Sequence, residues 1–212
     1  MSRVLVPEQR YGDLVDALAD QAGKVRVGDP LDEGTTMGPL ASSRRRSDVE
    51  TRVRSGISEG ARVVSGGRRP ASPVRGYFYE PTVLTGVTPQ MPIARDEICG
   101  PVATVIGYKD EAEAIRLAND GFGLAATVWT GDPQRGLDIA RRTRVGTFGI
   151  NLYEPDIGSP CGGRGLSGTG SAYGPEGMDA YLASKSVFLP SVRTAAAAPV
   201  PRDSAAARGT HG

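Results

Sequence analysis

The chain has 212 residues, 39% of them hydrophobic, a size that favours one domain, or one domain with appendages, over two equal ones. Its 25 lysines and arginines offset 24 acids, and a net charge of +1 supplies no field to gather nucleic acid or an anionic membrane surface. Two cysteines make no disulfide framework, which points to a reducing cytoplasm, and no apolar run is long enough to span a bilayer.

Residues 3–7 form a β-branched run ended by proline and read as a strand. Tyr11, Leu14, Val15, Leu18, Ala19 and Ala22 recur at helical spacing, so residues 11–22 predict an amphipathic helix. Residues 23–40 are rich in Gly, Pro and Asp and predict an irregular connection with one short extended piece. Ser42 or Ser43 offers an N-cap for a polar helix to about residue 59. On it Arg44, Arg45, Arg46, Arg52 and Arg54 are interrupted by Asp48 and Glu50, the pattern of a solvated face. Residues 61–65 and 79–87 predict a peripheral hairpin with a long loop.

Strand-like segments at 102–108, 124–129 and 145–151 then alternate with helical ones at 111–119 and 133–143. That pattern predicts an α/β fold with a mostly parallel, doubly covered sheet whose strands are buried on both faces. A glycine-rich loop follows, then a short helix at 175–182 and an extended piece at 185–189. Residues 191–212 are Ala, Pro, Arg and Ser with little to bury, and predict a disordered tail. The single histidine, His211, lies in that tail, which removes the base or ligand from any Ser-His-Asp, Cys-His or histidine-zinc scheme.

Six phrases carry a more specific message: VGDPLDEGTTMGPL at 27–40, GYFYEPTVL at 76–84, MPIARDEICGPV at 91–102, ANDGFGLAATVWT at 118–130, RTRVGTFGIN at 142–151, and SPCGGRGLSGTG with YGPEGMDAYLASKSV at 159–187. In this order they resemble the signatures of NAD(P)-dependent aldehyde dehydrogenases over about residues 3–190. The resemblance implies a partial catalytic domain at 1–184, a terminal oligomerisation strand at 185–190 and the tail at 191–212. It also implies that the nucleophilic cysteine, the general-base glutamate, the oxyanion-holding asparagine and the cofactor domain lie outside this sequence, which starts at Met1 just past the nucleophile's place. No catalytic residue is then expected here, and NAD or NADP would not bind well to the chain alone.

Two cofactor-side positions follow from the resemblance. Glu97 matches the family glutamate whose carboxylate accepts hydrogen bonds from the ribose hydroxyls beside the nicotinamide, which orients the ring for hydride transfer. A loop carboxylate capping a turn is the plainer reading. Cys99 stands where the family has an aromatic ring, and reads either as an inert thiol or as a substitute nucleophile activated by Arg95. Asn151, Leu152 and Cys161 match the wall of the substrate tunnel, Cys161 replacing a phenylalanine; ordinary loop packing is the alternative. The glycines at 168–174 miss the dinucleotide fingerprint by one position and follow no strand, and no metal site is expected.

Three functional classes stay open: a truncated aldehyde dehydrogenase polypeptide acting on a small aldehyde, a pseudoenzyme or interaction module, and a fragment of a longer gene product. In the second, residues 185–190 would pair with another copy or a full-length relative, and apolar surface left by the missing domain would favour association.

Overall fold

The computed structural model describes residues 2–73, 75–154 and 156–189. Compactness divides the chain into Met1–Ala180 and Tyr181–Gly212. In the first unit, strand β1 (Arg3–Pro7) leads through a single 3-10 turn into helix α1 (Tyr11–Lys24). Residues 25–42 wander, with one isolated bridge between Val27 and Met37, before helix α2 (Ser43–Ser58). The Ser42 hydroxyl accepts the Arg45 N–H at 3.2 Å, which satisfies one of the four donors a helix start leaves free.

Strands β2 (Arg62–Ser65) and β3 (Thr82–Thr85) form the expected hairpin, and β4 (Val102–Tyr108) pairs in parallel with both β3 and β1. The resulting sheet runs β1-β4-β3-β2, with the hairpin at one end and β2 at the edge. Alternation sends its side chains to two cores. Val6, Val83 and Val105 meet Val15 of α1, with Tyr11, Leu14 and Leu18 packed around them. Leu84, Val102 and Ile106 meet Val49 and Val53 of α2 and Leu117 of the next helix. Leu84 and Val105 are wholly excluded from solvent, so this sheet is doubly covered.

Helix α4 (Glu111–Asn119) is capped by Asp110, whose carboxylate accepts the Glu113 N–H at 2.8 Å, while Glu113 reaches back to the Lys109 N–H at 2.9 Å. Before it, the four residues Pro92–Arg95 make a short helix α3 that hydrophobic periodicity is too coarse to foresee. Strands β5 (Ala125–Val128) and β6 (Thr147–Ile150), joined by helix α5 (Pro133–Arg142), pair in parallel with each other alone.

The expected α/β fold with mostly parallel strands is present, but the expected burial of β5 and β6 on both faces is not. β5 and β6 form a separate two-stranded sheet, every residue of which is only half-buried, and Trp129 just beyond β5 is 73% exposed. The cause is pairing, since β5 has β4 nowhere beside it. The glycine-rich loop contains a small ladder, β7 (Cys161–Gly162) against β8 (Ser171–Ala172), and ends where the short helix was expected, in the 3-10 helix Pro175–Tyr181.

In the second unit, residues 182–189 have no regular secondary structure, and Val187, Phe188 and Leu189 are exposed. The expected tail at 191–212, with Pro190 and His211, lies outside the described residues.

Candidate functional site

The Glu97 loop is built by a set of local constraints. Pro92 opens α3, where it costs no helical donor, and the Asp96 N–H closes the turn on the Pro92 carbonyl at 2.8 Å. The Asp96 carboxylate then pairs with Arg52 of α2. Ile98, 5% exposed, is sunk in the main core. The Gly100 N–H reaches the Ile98 carbonyl at 2.9 Å and the Thr82 N–H the Pro101 carbonyl at 2.8 Å. A Cβ on Gly100 would lie 2.5 Å from Cγ2 of Val49, so the loop lies against α2 closer than any side chain would allow.

Because Ile98 points inward, its neighbours Glu97 and Cys99 are both left exposed. Among the described residues Glu97 makes no side-chain hydrogen bond or ion pair, which differs from the turn-capping alternative. A carboxylate held on a fixed loop with both oxygens open can accept from a vicinal diol.

Cys99 is a free thiol. The cation nearest in sequence, Arg95, is committed to Asp120 at 3.6 Å and to the Pro89 carbonyl at 2.8 Å. No base is bonded to the thiol among the described residues.

The tunnel-wall residues are distributed differently. Asn151 adopts a left-handed conformation, φ 55°, and its amide answers both groups of one residue, accepting the Thr130 N–H and donating to the Thr130 carbonyl, each at 2.8 Å. Its own N–H meets the Val128 carbonyl at 2.9 Å. The side chain thus locks the carboxyl end of β6 to the exit of β5.

The chain then doubles back along β6. Leu152, 58% exposed, has its carbonyl 1.8 Å from where a Cβ on Gly149 would be, and the Tyr153 hydroxyl bonds Thr147 Oγ1 at 3.0 Å. Cys161, half-buried on β7, sits at the opposite end, because Gly162 packs over Gly146 and Arg164 N–H reaches the Gly123 carbonyl at 3.0 Å. Asn151 and Cys161 are therefore separated by the length of β6, roughly 13 Å at about 3.3 Å per residue.

Cys161 and Glu97 each lie toward the amino end of a strand, and polar contacts that include neither of them tie together the segments between. Arg95 faces Asp120; the Asp120 carbonyl accepts Arg3 Nη1 at 2.9 Å, and Arg3 also reaches the Leu117 carbonyl at 3.0 Å. Next to Asp120, the Asn119 amide donates to the Arg142 carbonyl at 3.0 Å and accepts the Arg144 N–H at 2.6 Å, two residues before Gly146. Burial pulls the Arg3 guanidinium below its ordinary value, and the Asp120 charge partly restores it. Sequence reasoning missed Arg3, Asn119 and Asp120. The one available signal was a cation at the mouth of an apolar strand.

No α-helix begins at the glycines of 168–174, and among the described residues no group of three or more His, Cys, Asp or Glu is placed to hold a metal ion. No helix among them is long and apolar enough to cross a membrane.

The four-stranded sheet, the separate β5–β6 pair and their covering helices define a mixed α/β fold with mostly parallel strands. The profile of the Aldehyde dehydrogenase family matches residues 1–187, and the chain belongs to that family. It is 45% identical over 189 residues to the geranial dehydrogenase of Castellaniella defragrans, covering 89% of this chain and 39% of that protein. It is 41% identical over 192 residues to a betaine aldehyde dehydrogenase of Brucella anthropi, covering 89% and 39%. Among solved structures, an aldehyde dehydrogenase of Mycobacterium tuberculosis complexed with NAD+ superposes with a TM-score of 0.88 at 44% identity, over 92% of this chain and 41% of that one. The chain thus spans about two fifths of the length of its relatives.

Proposed function

We propose that the chain is the carboxy-terminal part of an NAD(P)-dependent aldehyde dehydrogenase, oxidising a small aldehyde to a carboxylic acid, and that it does not turn over alone. The observation that carries the reading is the braced 96–101 loop, which presents the Glu97 carboxylate without a partner of its own. Glu97 fits the diol of a ribose, and its role is to fix that sugar; the coenzyme, when bound, is the hydride acceptor. No strand among the described residues leads into an α-helix through a glycine-rich turn of dinucleotide spacing, so holding the rest of NAD or NADP falls to the portion that the relatives have beyond this chain. Leu152 and Cys161 would line the aldehyde's path, with Asn151 holding the strands behind them. Cys99, exposed and without an activating group, leaves more room beside the ribose than an aromatic ring would. Free thiols at Cys99 and Cys161 suit a cytoplasmic setting.

The test mixes the purified chain with an aldehyde and NAD+ or NADP+ and follows nicotinamide reduction. No turnover is expected until the remaining portion of a relative is supplied, and Glu97→Gln should then raise the coenzyme KM. Turnover by the chain alone would refute the inactive reading, and Cys99→Ser would show whether that thiol had become the nucleophile.

A second reading, a non-catalytic module pairing with another copy or a full-length relative through residues 185–190, is favoured by the exposure of Val187, Phe188 and Leu189 at 72%, 91% and 83%. A monomer on size exclusion that ignores full-length relatives would count against it.

A further inference from the structure

Helix α2 carries an excess of positive charge on the side that bears Glu50. Three guanidiniums, those of Arg69, Arg46 and Arg54, act on the one Glu50 carboxylate. Arg69 takes both of its oxygens, Oε1 through Nε at 2.5 Å and Oε2 through Nη2 at 2.9 Å, and this bond is the first reason Glu50 lies below its ordinary carboxylate value. Arg46, one turn before Glu50, is left short of an acceptor. Its Nη1 donates to the Gly76 carbonyl at 2.7 Å, and its guanidinium lies 5.9 Å from the centre of the Tyr77 ring. Its Nε stops 3.7 Å from Glu50 Oε1, too far for a hydrogen bond, and is the one buried side-chain nitrogen or oxygen without a partner among the described residues. A largely buried cation that shares its only nearby carboxylate is under-compensated, and a further anion would restore the balance.

A cleft of about 510 Å³ opens beside these groups, lined by Arg46, Arg69, Pro70, Ala71, Gly76 and Phe78. Arg46 Nη2 and Arg69 Nη1 make no hydrogen bond among the described residues, so each guanidinium keeps donors for a ligand. The wall is firm. Phe78 is buried, and its ring lies against Gly76, at φ 124°, where a Cβ would not fit. We propose that this cleft binds a small organic oxyanion, a carboxylate or phosphate monoester carried on an apolar body. Guanidinium forks match pairs of oxygens, and Pro70, Ala71 and Phe78 supply apolar wall that a bare inorganic ion would leave uncovered. The site is separate from the Glu97 loop and does not depend on the functional reading above. Arg52, which pairs with Asp96 beside Glu97, is turned about 120° around α2 from Arg46.

The experiment is isothermal titration calorimetry of the whole chain with benzoate, phenyl phosphate, inorganic phosphate and uncharged benzyl alcohol, all at one ionic strength. Benzoate or phenyl phosphate should bind at a single saturable site at least about tenfold more tightly than inorganic phosphate or benzyl alcohol, and the better of the two decides the headgroup. Two variants should move the affinity in opposite directions. Arg69→Gln, at a side chain more than half exposed, removes one fork and frees Glu50 for Arg46, so binding should weaken about tenfold or more. Glu50→Gln removes the competing carboxylate, so binding should tighten about threefold or more, a gain that misfolding cannot imitate. Arg62→Gln, an exposed cation on β2, should change nothing. The proposal is overturned if neither organic anion binds saturably, if inorganic phosphate or benzyl alcohol binds as tightly, or if Arg69→Gln and Glu50→Gln leave the affinity where it was.

Discussion

Gly100→Ala isolates the packing that holds the Glu97 loop. The added methyl would lie 2.5 Å from Val49 Cγ2, 3.4 Å from Cγ1 and 3.6 Å from Cβ. Carbon atoms rest at about 3.5–4.0 Å, so something must yield by about 1 Å. Val49 has little freedom to do so, because it is 2% exposed, sits in the middle of α2, and a β-branched side chain in a helix keeps essentially one rotamer. The loop moves instead, at the cost of overpacking a formed core, about 1–3 kcal/mol. For a chain of this size that is a fall in melting temperature of roughly 2–12 °C. Calorimetry of the single variant checks the magnitude, and the labelling rate of Cys99 by a thiol reagent checks the displacement, because the thiol is one residue from the substitution. In a Val49→Ala background the two offending methyls are gone, so the same Gly100→Ala change should cost almost nothing; the cycle measures the contact itself. An unchanged melting temperature in the single variant, or equal losses in both backgrounds, would show that α2 does not set the loop's position.

Asn151→Ala removes two hydrogen bonds to Thr130 and places a methyl-bearing residue at φ 55°, so a loss of about 2 kcal/mol is expected, seen as faster amide exchange in residues 125–130 with little change in β1–β4. Glu111 is held below the usual carboxylate value, chiefly by its hydrogen bond from Arg135, with Arg142 adding to it. A depressed folded value contributes stability at neutral pH that disappears as pH falls through it, so the melting-temperature gap between the native chain and Glu111→Gln should close on acidification below about pH 4. Tyr79 is pushed up to about 12, first by burial and then by the nearby Glu50 charge. Its raised value favours the folded state below the ordinary phenol value of about 10 and withdraws that support as pH climbs toward 12; Tyr79→Phe should therefore lessen the alkaline loss of stability in a pH series.

How far the sequence spoke depended on whether a feature was local. The apolar, β-branched run at 102–108 and the apolar recurrence from Tyr11 to Ala22 are local, and β4 and α1 followed from them. Asp110 and Asp132 cap α4 and α5 by offering an oxygen to free N–H groups, a local signal that was not drawn on. Strand partnership is not local. Ala125–Val128 and Thr147–Ile150 have the composition of buried parallel strands, and nothing in those residues says that no third strand of this chain lies beside them. The site divides along the same line. Glu97 was singled out through its phrase, but its lack of a partner depends on Arg52 taking the adjacent Asp96 and on Ile98 turning inward. Asn151 was read as a pocket residue because it ends a strand, whereas its amide is spent on Thr130 across the sheet. That bond joins residues 21 apart, a separation that spacing rules do not address.

The uneven core also separates the two halves of the proposed chemistry in stability. Local opening is easiest where few apolar contacts must be broken, and the greatest protection belongs to elements that share a buried cluster. Glu97 hangs from such a cluster: Ile98, Val49, Val53 and Leu84 belong to one contiguous set. Cys161, Leu152 and Asn151 rest on backbone layering and polar locks, with Gly146, Gly149 and Gly162 allowing carbonyls to approach where a Cβ could not fit. Amide locks hold a geometry once water is excluded but add little net stability while water competes for the same groups. The Glu97 carboxylate is therefore set by this chain's own core, while the segments bearing Asn151, Leu152 and Cys161 rest on layers with no buried apolar side chain among the described residues. Exchange rates measured on the isolated chain should fall into two classes divided near Leu117, with Glu97 in the slow class and Cys161 in the fast one. A single cooperative rate across both would contradict the division.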